Sequence, residues 1–246
     1  MENDEGIEKL FFELASESRL SILRELRKEN LKMHEIARRL DVTATEAFRQ
    51  LQRLSEALLV QKQPEGTFTI TQYGKLVLQL SSSIDFVFKH KNYFSTHDVW
   101  RLPYQFVNRI GELSQTSLIM NTIEGLNKGE RMFMEAEQYA WAVVEGRVPE
   151  LMDPIMNEKI RKGLKVRMLF LESFLPPNAI SPAKLPNLKN RTLSDIPAII
   201  SLTKKEAAIC FHLVGGRTDY AGFFGSDSIF LNWVKDLFLY YWDKGK

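Results

Sequence analysis

The amino-acid sequence predicts a chain of two domains, α+β in its first part and α/β in its second. The chain has 246 residues, which is long for one small module and ample for two domains. Apolar residues make up 44% of it and include 16 Phe, enough to build buried cores and to exclude global disorder. The order of helix and strand patterns assigns residues 1–73 to the first domain, 74–96 to a connecting helix and 97–246 to the second domain.

Periodicity and capping signals predict the helices of the first domain. Apolar residues recur at helical spacing in two segments separated at Ser16, and again in a short helix from about Met33 to Leu40. Thr43 and Glu46 then have the spacing of a capping box, which predicts the start of a longer helix. A short helix, a tight turn and a longer helix are typical of a helix-turn-helix.

The longer helix is predicted to have two faces, and a hairpin signal follows it. Its apolar face is expected to contain Ala44, Ala47, Phe48, Leu51, Leu54 and Leu58. Strand patterns at Val60–Gln63 and Thr67–Thr71 alternate around a Pro-Glu-Gly turn. Helices followed by a hairpin predict a winged helix-turn-helix.

Charge is unevenly distributed along this first domain, although the formal net charge of the whole chain is only +2. Residues 1–18 contain one basic residue and six acids, a net of −5, whereas residues 19–53 contain nine basic residues and five acids, a net of +4. The balanced total therefore excludes a polycationic tail, but it does not exclude a nucleic-acid partner for the basic helix-turn-helix.

Double-stranded DNA is the partner that this pattern favours, because in a winged helix the exposed face of the longer helix enters the major groove. The predicted contacts from that helix are Thr43, Thr45, Arg49, Gln50 and Arg53. Arg38, Arg39 and Lys62 are expected to contact the phosphate backbone and so position the protein on the duplex. Two alternatives stay open: the charged face is merely solvated, or the winged helix docks on a protein of the transcription machinery.

The connecting helix is apolar on more than one side. Its broad face is expected to contain Leu76, Val77, Leu80, Ile84, Val87 and Phe88, while Leu78 and Phe86 point elsewhere. A helix with more than one apolar stripe needs a second partner. That partner is either the second domain of the same chain or the same helix in a second copy, and a homodimer suits binding to two DNA half-sites.

Strand and helix patterns alternate in the second domain, which predicts an α/β sheet. Strands are expected at Ser117–Met120, Tyr139–Val144 and Leu164–Leu171, and helices at residues 124–138, 149–162 and 228–242. A Pro-rich connection precedes a predicted hairpin, whose strands are Ala198–Leu202 and Ala207–Leu213.

Several segments carry a resemblance to known regulators: Glu13–Leu23, His97–Pro103, Ile110–Leu113, Gly163–Arg167, Gly215–Tyr220 and Trp233–Trp242. The first resembles the opening of ArsR-like regulators. The others resemble archaeal winged-helix regulators whose second domain is named after a methanogenesis regulatory protein. The resemblance implies a one-component transcription regulator with a C-terminal effector or dimerisation domain, distantly similar to phospholipase D-like folds.

The motifs of the common hydrolases and metal sites are missing. None of the four histidines is followed two residues later by Lys, and His34-Glu35 is followed by Arg38 where a zinc protease needs a second His. Cys210 is the single cysteine and is expected to be a buried core thiol. We therefore expect no catalytic residues, no metal and no cofactor.

Arginine and tryptophan residues of the second domain suggest a site for a small anionic effector. The candidates are Trp141, Arg167, Arg191, Arg217, Asp219 and Trp233. The alternative is that the arginines face solvent and the tryptophans belong to the core. The acidic N-terminus and the lack of a run of about 20 apolar residues predict a cytoplasmic protein with no membrane partner.

Overall fold

The computed structural model describes residues 6–146, 154–174 and 185–246. The chain divides into two compact units, an N-terminal unit up to Ser82 and a C-terminal unit from Ser83 onward. Helix α5 (Gln72–Lys89) runs across this division. The division thus falls within the segment 74–96 that the sequence predicted as a separate connection.

The N-terminal unit is mainly helical and contains a small antiparallel sheet. Before α5, its elements are α1 (Ile7–Leu14), α2 (Glu17–Lys28), β1 (Leu31–Lys32), α3 (Met33–Leu40), α4 (Ala44–Glu56), β2 (Val60–Lys62) and β3 (Thr67–Ile70). The sheet order is β1-β3-β2. The two-residue strand β1, which periodicity does not reveal, pairs Leu31 with Phe68 of the hairpin.

Capping residues fix where these helices begin and end. The Ser16 hydroxyl accepts from the Arg19 amide at the start of α2, and the Thr43 hydroxyl accepts from the Glu46 amide at the start of α4. Asp41 ends α3 in the left-handed conformation at φ 52°. Asp tolerates this conformation better than most residues do. The turn between α3 and α4 is therefore tight.

The core of the N-terminal unit is built from α2, α3, α4 and the sheet. From α4 it receives Leu51 and Leu54, while Ala47 is also buried. The wider apolar face predicted for this helix is wrong: Phe48 is 57% exposed, Leu58 is 69% exposed, and Ala44 is exposed as well. The buried stripe of α4 consists of Ala47, Gln50, Leu51 and Leu54, so it includes one polar residue.

Helix α5 also differs from its predicted pattern. Val77, Leu78 and Phe86 are buried. The exposed apolar residues are Tyr73, Leu76, Leu80, Ile84, Val87 and Phe88. Leu78 and Phe86, which the pattern placed off the broad face, are thus buried, and most residues of that face are exposed.

The C-terminal unit is a mixed sheet with helices on both faces. After α5 its helices are α6 (Lys91–Phe94), α7 (Tyr104–Val107), α8 (Thr122–Glu135), α9 (Pro154–Arg161) and α10 (Ser228–Lys244). Its strands are β4 (Ser117–Ile119), β5 (Tyr139–Val144), β6 (Lys165–Leu171), β7 (Leu188–Leu193), β8 (Ala198–Thr203), β9 (Ala207–Phe211) and β10 (Gly222–Gly225). Part of the predicted helix 149–162, including Leu151, lies outside the described residues.

The seven strands have the order β4-β10-β9-β8-β5-β6-β7. Strands β5, β6 and β7 are parallel to one another, and every other pairing is antiparallel. Alternate residues of β6 face opposite sides: Leu169 packs in the core that contains α10, and Met168 packs in the core that contains α9. The fold is therefore a mixed helix and sheet architecture, with a helical first unit and a sheet-based second unit.

Candidate nucleic-acid interface

The outward face of α4 is polar but contains one aromatic ring. Thr45, Phe48, Arg49 and Gln52 are exposed at the spacing that places them on one side of the helix. The Arg49 side chain is 70% exposed and lies 3.8 Å from the Glu46 carboxylate. The Gln52 amide donates to Glu56 at 3.0 Å. Arg49 is thus held only weakly within the protein, and its guanidinium is accessible to a ligand.

Two further cations are exposed on the neighbouring elements. Arg38 lies in the last turn of α3, and Lys62 is the last residue of β2, next to the turn of the hairpin. Neither has a carboxylate within ion-pair distance among the residues that the structure describes. Both side chains are exposed, as the predicted contacts with phosphate require.

Arg39 was also expected to contact phosphate, but it is occupied. Its guanidinium forms ion pairs with Glu25 at 2.9 Å and with Glu29 at 2.8 Å. Hydrogen bonds to Glu29 and Glu25 raise the pKa of Arg39 above its ordinary value. The structure therefore assigns Arg39 to the junction of α3 with α2, which corrects the prediction.

Gln50 is buried and is not available for contact with a base. It is 7% exposed, and its amide oxygen accepts from Arg19 Nη1 at 3.0 Å. Arg19 is itself buried, and its other nitrogens donate to the backbone oxygens of Glu13 and Phe12 at 2.8 and 2.7 Å. Burial lowers the pKa of Arg19. Gln50 therefore belongs to the interior of the N-terminal unit.

Arg53 is the second arginine of α4 that the sequence assigned to DNA contact. It donates to both carboxylate oxygens of Glu13, from Nη2 at 2.6 Å and from Nε at 3.3 Å. Its guanidinium also lies 4.9 Å from the centre of the Phe12 ring. Arg53 joins α4 to α1, so it is a structural residue and not the predicted contact.

The candidate interface that remains is smaller than predicted. Of the eight assigned residues, Thr45, Arg49, Arg38 and Lys62 are exposed without a strong internal partner, and Thr43 is exposed but caps α4. Phe48 and Gln52 join the exposed face. Gln52 already lay on the polar side of the helical pattern, whereas Phe48 was missed because its apolar character placed it in the core.

Three of the six effector candidates meet in the C-terminal unit. The Arg167 guanidinium lies 4.6 Å from the Trp141 ring centre and 5.3 Å from that of Trp242. Arg191 lies 4.9 Å from the same Trp242 ring and donates from Nη1 to the Trp242 carbonyl oxygen at 2.5 Å. These four residues form one stacked cluster, in which Trp242 was not predicted.

The other three candidates lie apart from this cluster. Trp233 is 0% exposed and packs edge-on against Phe106, so it belongs to the core. Arg217 is exposed in the turn before β10. Asp219 accepts from Thr122 Oγ1 at 2.6 Å and from the Ala221 amide at 3.0 Å, and lies 3.3 Å from His97 Nε2. The predicted convergence of all six residues is wrong.

The polar partners of Asp219 shift its titration. Burial by itself raises the pKa of this carboxyl, but the hydrogen bonds from Thr122, from the Ala221 amide and from His97 outweigh burial and lower the pKa below its ordinary value. Asp219 is therefore ionised and has its acceptors occupied.

Cys210 is buried in β9, as the sequence predicted, and burial raises the pKa of its thiol. Within the described ranges, no three His, Cys, Asp or Glu side chains are placed to hold a metal ion. The same part of the chain contains no helix long and apolar enough to cross a membrane.

Residues 7–86 match the family model of the HVO_A0261 N-terminal domain. This match covers the described elements of the N-terminal unit and most of α5. TrmBL2, an archaeal chromatin protein of known structure, is 15% identical over 88% of each chain, with a TM-score of 0.45. NucT from Helicobacter pylori is 12% identical over 53% of this chain and 96% of its own, with a TM-score of 0.41.

No curated protein matches this chain in sequence. The HVO_A0261 match ends at residue 86, so most of the C-terminal unit lies outside it. The resemblances to ArsR-like regulators, to the methanogenesis-type second domain and to phospholipase D-like folds therefore stay predictions.

Proposed function

We propose that this protein is a transcription regulator that binds specific sequences of double-stranded DNA through a winged helix in its N-terminal unit. The observation that carries the proposal is the exposure of Arg38, Arg49 and Lys62 on successive elements α3, α4 and β2. These elements have the order of a helix-turn-helix followed by a wing. The N-terminal fold and its exposed cations together fit a DNA duplex.

The roles of these residues follow from the geometry of the motif. Helix α4 enters the major groove with Thr45, Phe48 and Arg49 toward the bases. An Arg bound to guanine by two hydrogen bonds discriminates by about 1–3 kcal/mol, and an apolar side chain can contact the methyl group of thymine. Arg38 and Lys62 contact phosphates, which contributes affinity and not sequence preference.

The test begins with selection of bound sequences from random duplex DNA by the full-length protein. The selected duplex is then titrated by fluorescence anisotropy at several salt concentrations. For Arg38→Ala/Lys62→Ala we expect weaker binding and a salt slope that is shallower by about 2, because both residues contact phosphate.

A matched variant removes the same charge from other exposed positions of the N-terminal unit. Arg24 on α2 and Lys75 on α5 are exposed, so Arg24→Ala/Lys75→Ala should keep the wild-type salt slope. An equal loss in both variants would show that only bulk charge matters. Failure of the wild-type protein to select any duplex would contradict DNA binding itself.

We further propose that the protein acts as a homodimer that pairs through α5. The exposed residues Tyr73, Leu76, Leu80, Ile84 and Phe88 recur at three- and four-residue spacing along this helix. A stripe of this kind fits a second copy of the same helix, and two copies would present two winged helices to two half-sites.

Light scattering after size exclusion measures the mass of the assembly. We expect a dimer for the wild-type protein and a monomer for Leu80→Glu/Ile84→Glu, with weaker binding to a duplex that contains two half-sites. The exposed position Gln79 supplies the control Gln79→Glu, which should stay dimeric. A monomeric wild-type protein would overturn this part of the proposal.

Phe48 favours a second candidate function, docking on a protein of the transcription machinery. An aromatic ring that is 57% exposed beside an arginine fits the core of a protein interface as well as a DNA groove. This alternative expects no duplex binding even at low salt, and capture of a transcription protein that Phe48→Ala abolishes. For the C-terminal unit we propose a non-catalytic role in receiving a signal.

A further inference from the structure

We propose that the C-terminal unit binds a small multivalent anion, such as a phosphate ester or a di- or tricarboxylate, in a groove where β6 and β7 begin. The inference rests on the proposed signal-receiving role of this unit and names the chemical class of the signal. The groove has a volume of about 380 Å³ and is lined by Lys165, Val166, Arg167, Pro186, Asn187 and Lys189. Sites for small ligands span roughly 300–1,000 Å³, so the groove is large enough.

Strand geometry brings three cations to one side of this groove. Lys165 and Arg167 are two residues apart on β6, so their side chains leave the same face of the sheet. Arg167 is the direct neighbour of Lys189 across the parallel ladder between β6 and β7. The three positive charges therefore lie on adjacent positions of two strands.

These charges are not neutralised by the part of the protein that the structure describes. No acidic residue of the described ranges lines the groove. None of the three cations has a carboxylate within ion-pair distance among the described residues, whereas many other cations of this chain do, such as Arg109 with Glu112 at 2.9 Å. Like charges on neighbouring positions repel one another, and a bound anion would relieve that repulsion.

Arg167 is also held in position before any ligand arrives. Its guanidinium is placed against the rings of Trp141 and Trp242. Stacking on a ring face leaves the N–H groups at the edge of the guanidinium available to a planar or tetrahedral anion. Arg191 does not line the groove, and its Nη1 donates to the Trp242 carbonyl oxygen, so its contribution is to fix that tryptophan.

The lining indicates which anions fit. Three cations would exceed the charge of a single carboxylate, and compact ammonium groups suit phosphate oxygens. Among the described lining residues, Val166 is buried and Pro186 alone contributes an exposed apolar side chain, so they offer little apolar surface to a large hydrophobic ligand. Charge, and not burial of apolar area, would supply the affinity.

Calorimetric titration of the full-length protein with inorganic pyrophosphate, in low-salt buffer without DNA, tests the site. We expect one saturable site per chain. A parallel titration with citrate separates phosphate from carboxylate ligands, and binding of either supports the site. Lys165→Ala/Lys189→Ala should weaken the binding at least tenfold, and both residues are exposed, so the fold should survive.

The control removes two exposed lysines elsewhere in the same unit, Lys204 in the β8–β9 turn and Lys235 on α10. Lys204→Ala/Lys235→Ala should bind pyrophosphate like the wild-type protein. Equal weakening in both variants, or no saturable binding of either anion, would overturn the inference. Duplex binding measured on the same preparations is a separate readout, so loss of DNA binding with intact anion binding would contradict only the proposed function.

Discussion

Arg53 of α4 and Glu13 of α1 are joined by two hydrogen bonds, at 2.6 Å and 3.3 Å, between helices that are 40 residues apart in the chain. The same carboxylate lies 2.9 Å from the buried guanidinium of Arg19. One acidic residue thus fixes two arginines and fastens the first helix of the N-terminal unit to the helix that would enter DNA. Glu13, one of the acids of the first 18 residues, is therefore part of the architecture of this unit.

Removal of this carboxylate should destabilise the N-terminal unit. Glu13→Ala leaves Arg19 buried with only its neutral acceptors, and an uncompensated buried donor costs about 1–3 kcal/mol. We expect a loss of that size in the free energy of unfolding, measured by urea denaturation followed by circular dichroism. Glu8→Ala, an exposed glutamate of the same helix, should stay within about 0.5 kcal/mol of the wild-type value. Equal effects of the two substitutions would contradict the assigned role of Glu13.

Two glycines of α8 should respond in opposite directions to the same substitution. A Cβ on Gly125 would clash with the backbone oxygen of Tyr220, whereas a Cβ on Gly129 would lie in ordinary contact, 3.6 Å from Ser201 Oγ. Gly125→Ala should destabilise the C-terminal unit by about 1–3 kcal/mol because backbone must move. Gly129→Ala should stabilise it by up to about 1 kcal/mol through helix propensity. Thermal unfolding of the two variants measures this contrast, and a stable Gly125→Ala protein would show that α8 packs less closely.

Acidification should lower the free energy of unfolding of the C-terminal unit because it protonates Asp219. Its pKa in the fold is lower than in the unfolded chain, so its ionised form contributes stability that is fully present above the ordinary Asp pKa of about 3.9. That contribution is lost as the pH falls through the lower folded value. We expect Asp219→Asn to be less stable than wild type at pH 6 and to show a smaller further loss on acidification to pH 3.

The exposed residue Asp243 on α10 supplies a control for this titration. Asp243→Asn should follow the wild-type pH dependence in urea denaturation. If Asp219→Asn also follows it, the hydrogen bonds from Thr122 and from the Ala221 amide do not depend on the charge of Asp219.

Local signals in the sequence were enough to place most elements of the N-terminal unit. The Thr43 cap, the short helix before it and the hairpin all occur where periodicity and turn residues predict them. Strand β10 was missed because its sequence, Gly-Phe-Phe-Gly, has no alternation and is fixed only by pairing with β4 and β9. A strand that is buried on both faces does not alternate between apolar and polar residues, and that alternation is what a sequence-based prediction of a strand needs.

The candidate site was harder to predict because it depends on which charges find internal partners. Arg39, Arg49 and Arg53 all look alike on a helical projection. Of the three, Arg49 alone makes no ion pair with another described element, since Arg39 pairs with carboxylates of α2 and its C-cap and Arg53 pairs with Glu13 on α1. Glu29 lies 10 residues from Arg39 in the sequence, and Glu13 lies 40 residues from Arg53. A local helical pattern does not cover such separations.

The internal use of Arg19, Arg39 and Arg53 has a consequence for how a regulator of this kind would distribute in a cell. Non-specific DNA is held almost entirely through phosphate contacts, and every genome offers a vast excess of such sites. Among the described residues of α3, α4 and β2, Arg38, Arg49 and Lys62 are the cations without an ion pair to another element. A winged helix with so few phosphate contacts would lose few molecules to that competitor. Its occupancy of an operator would then be set by the fit of a few side chains to the bases, and few copies per cell would suffice.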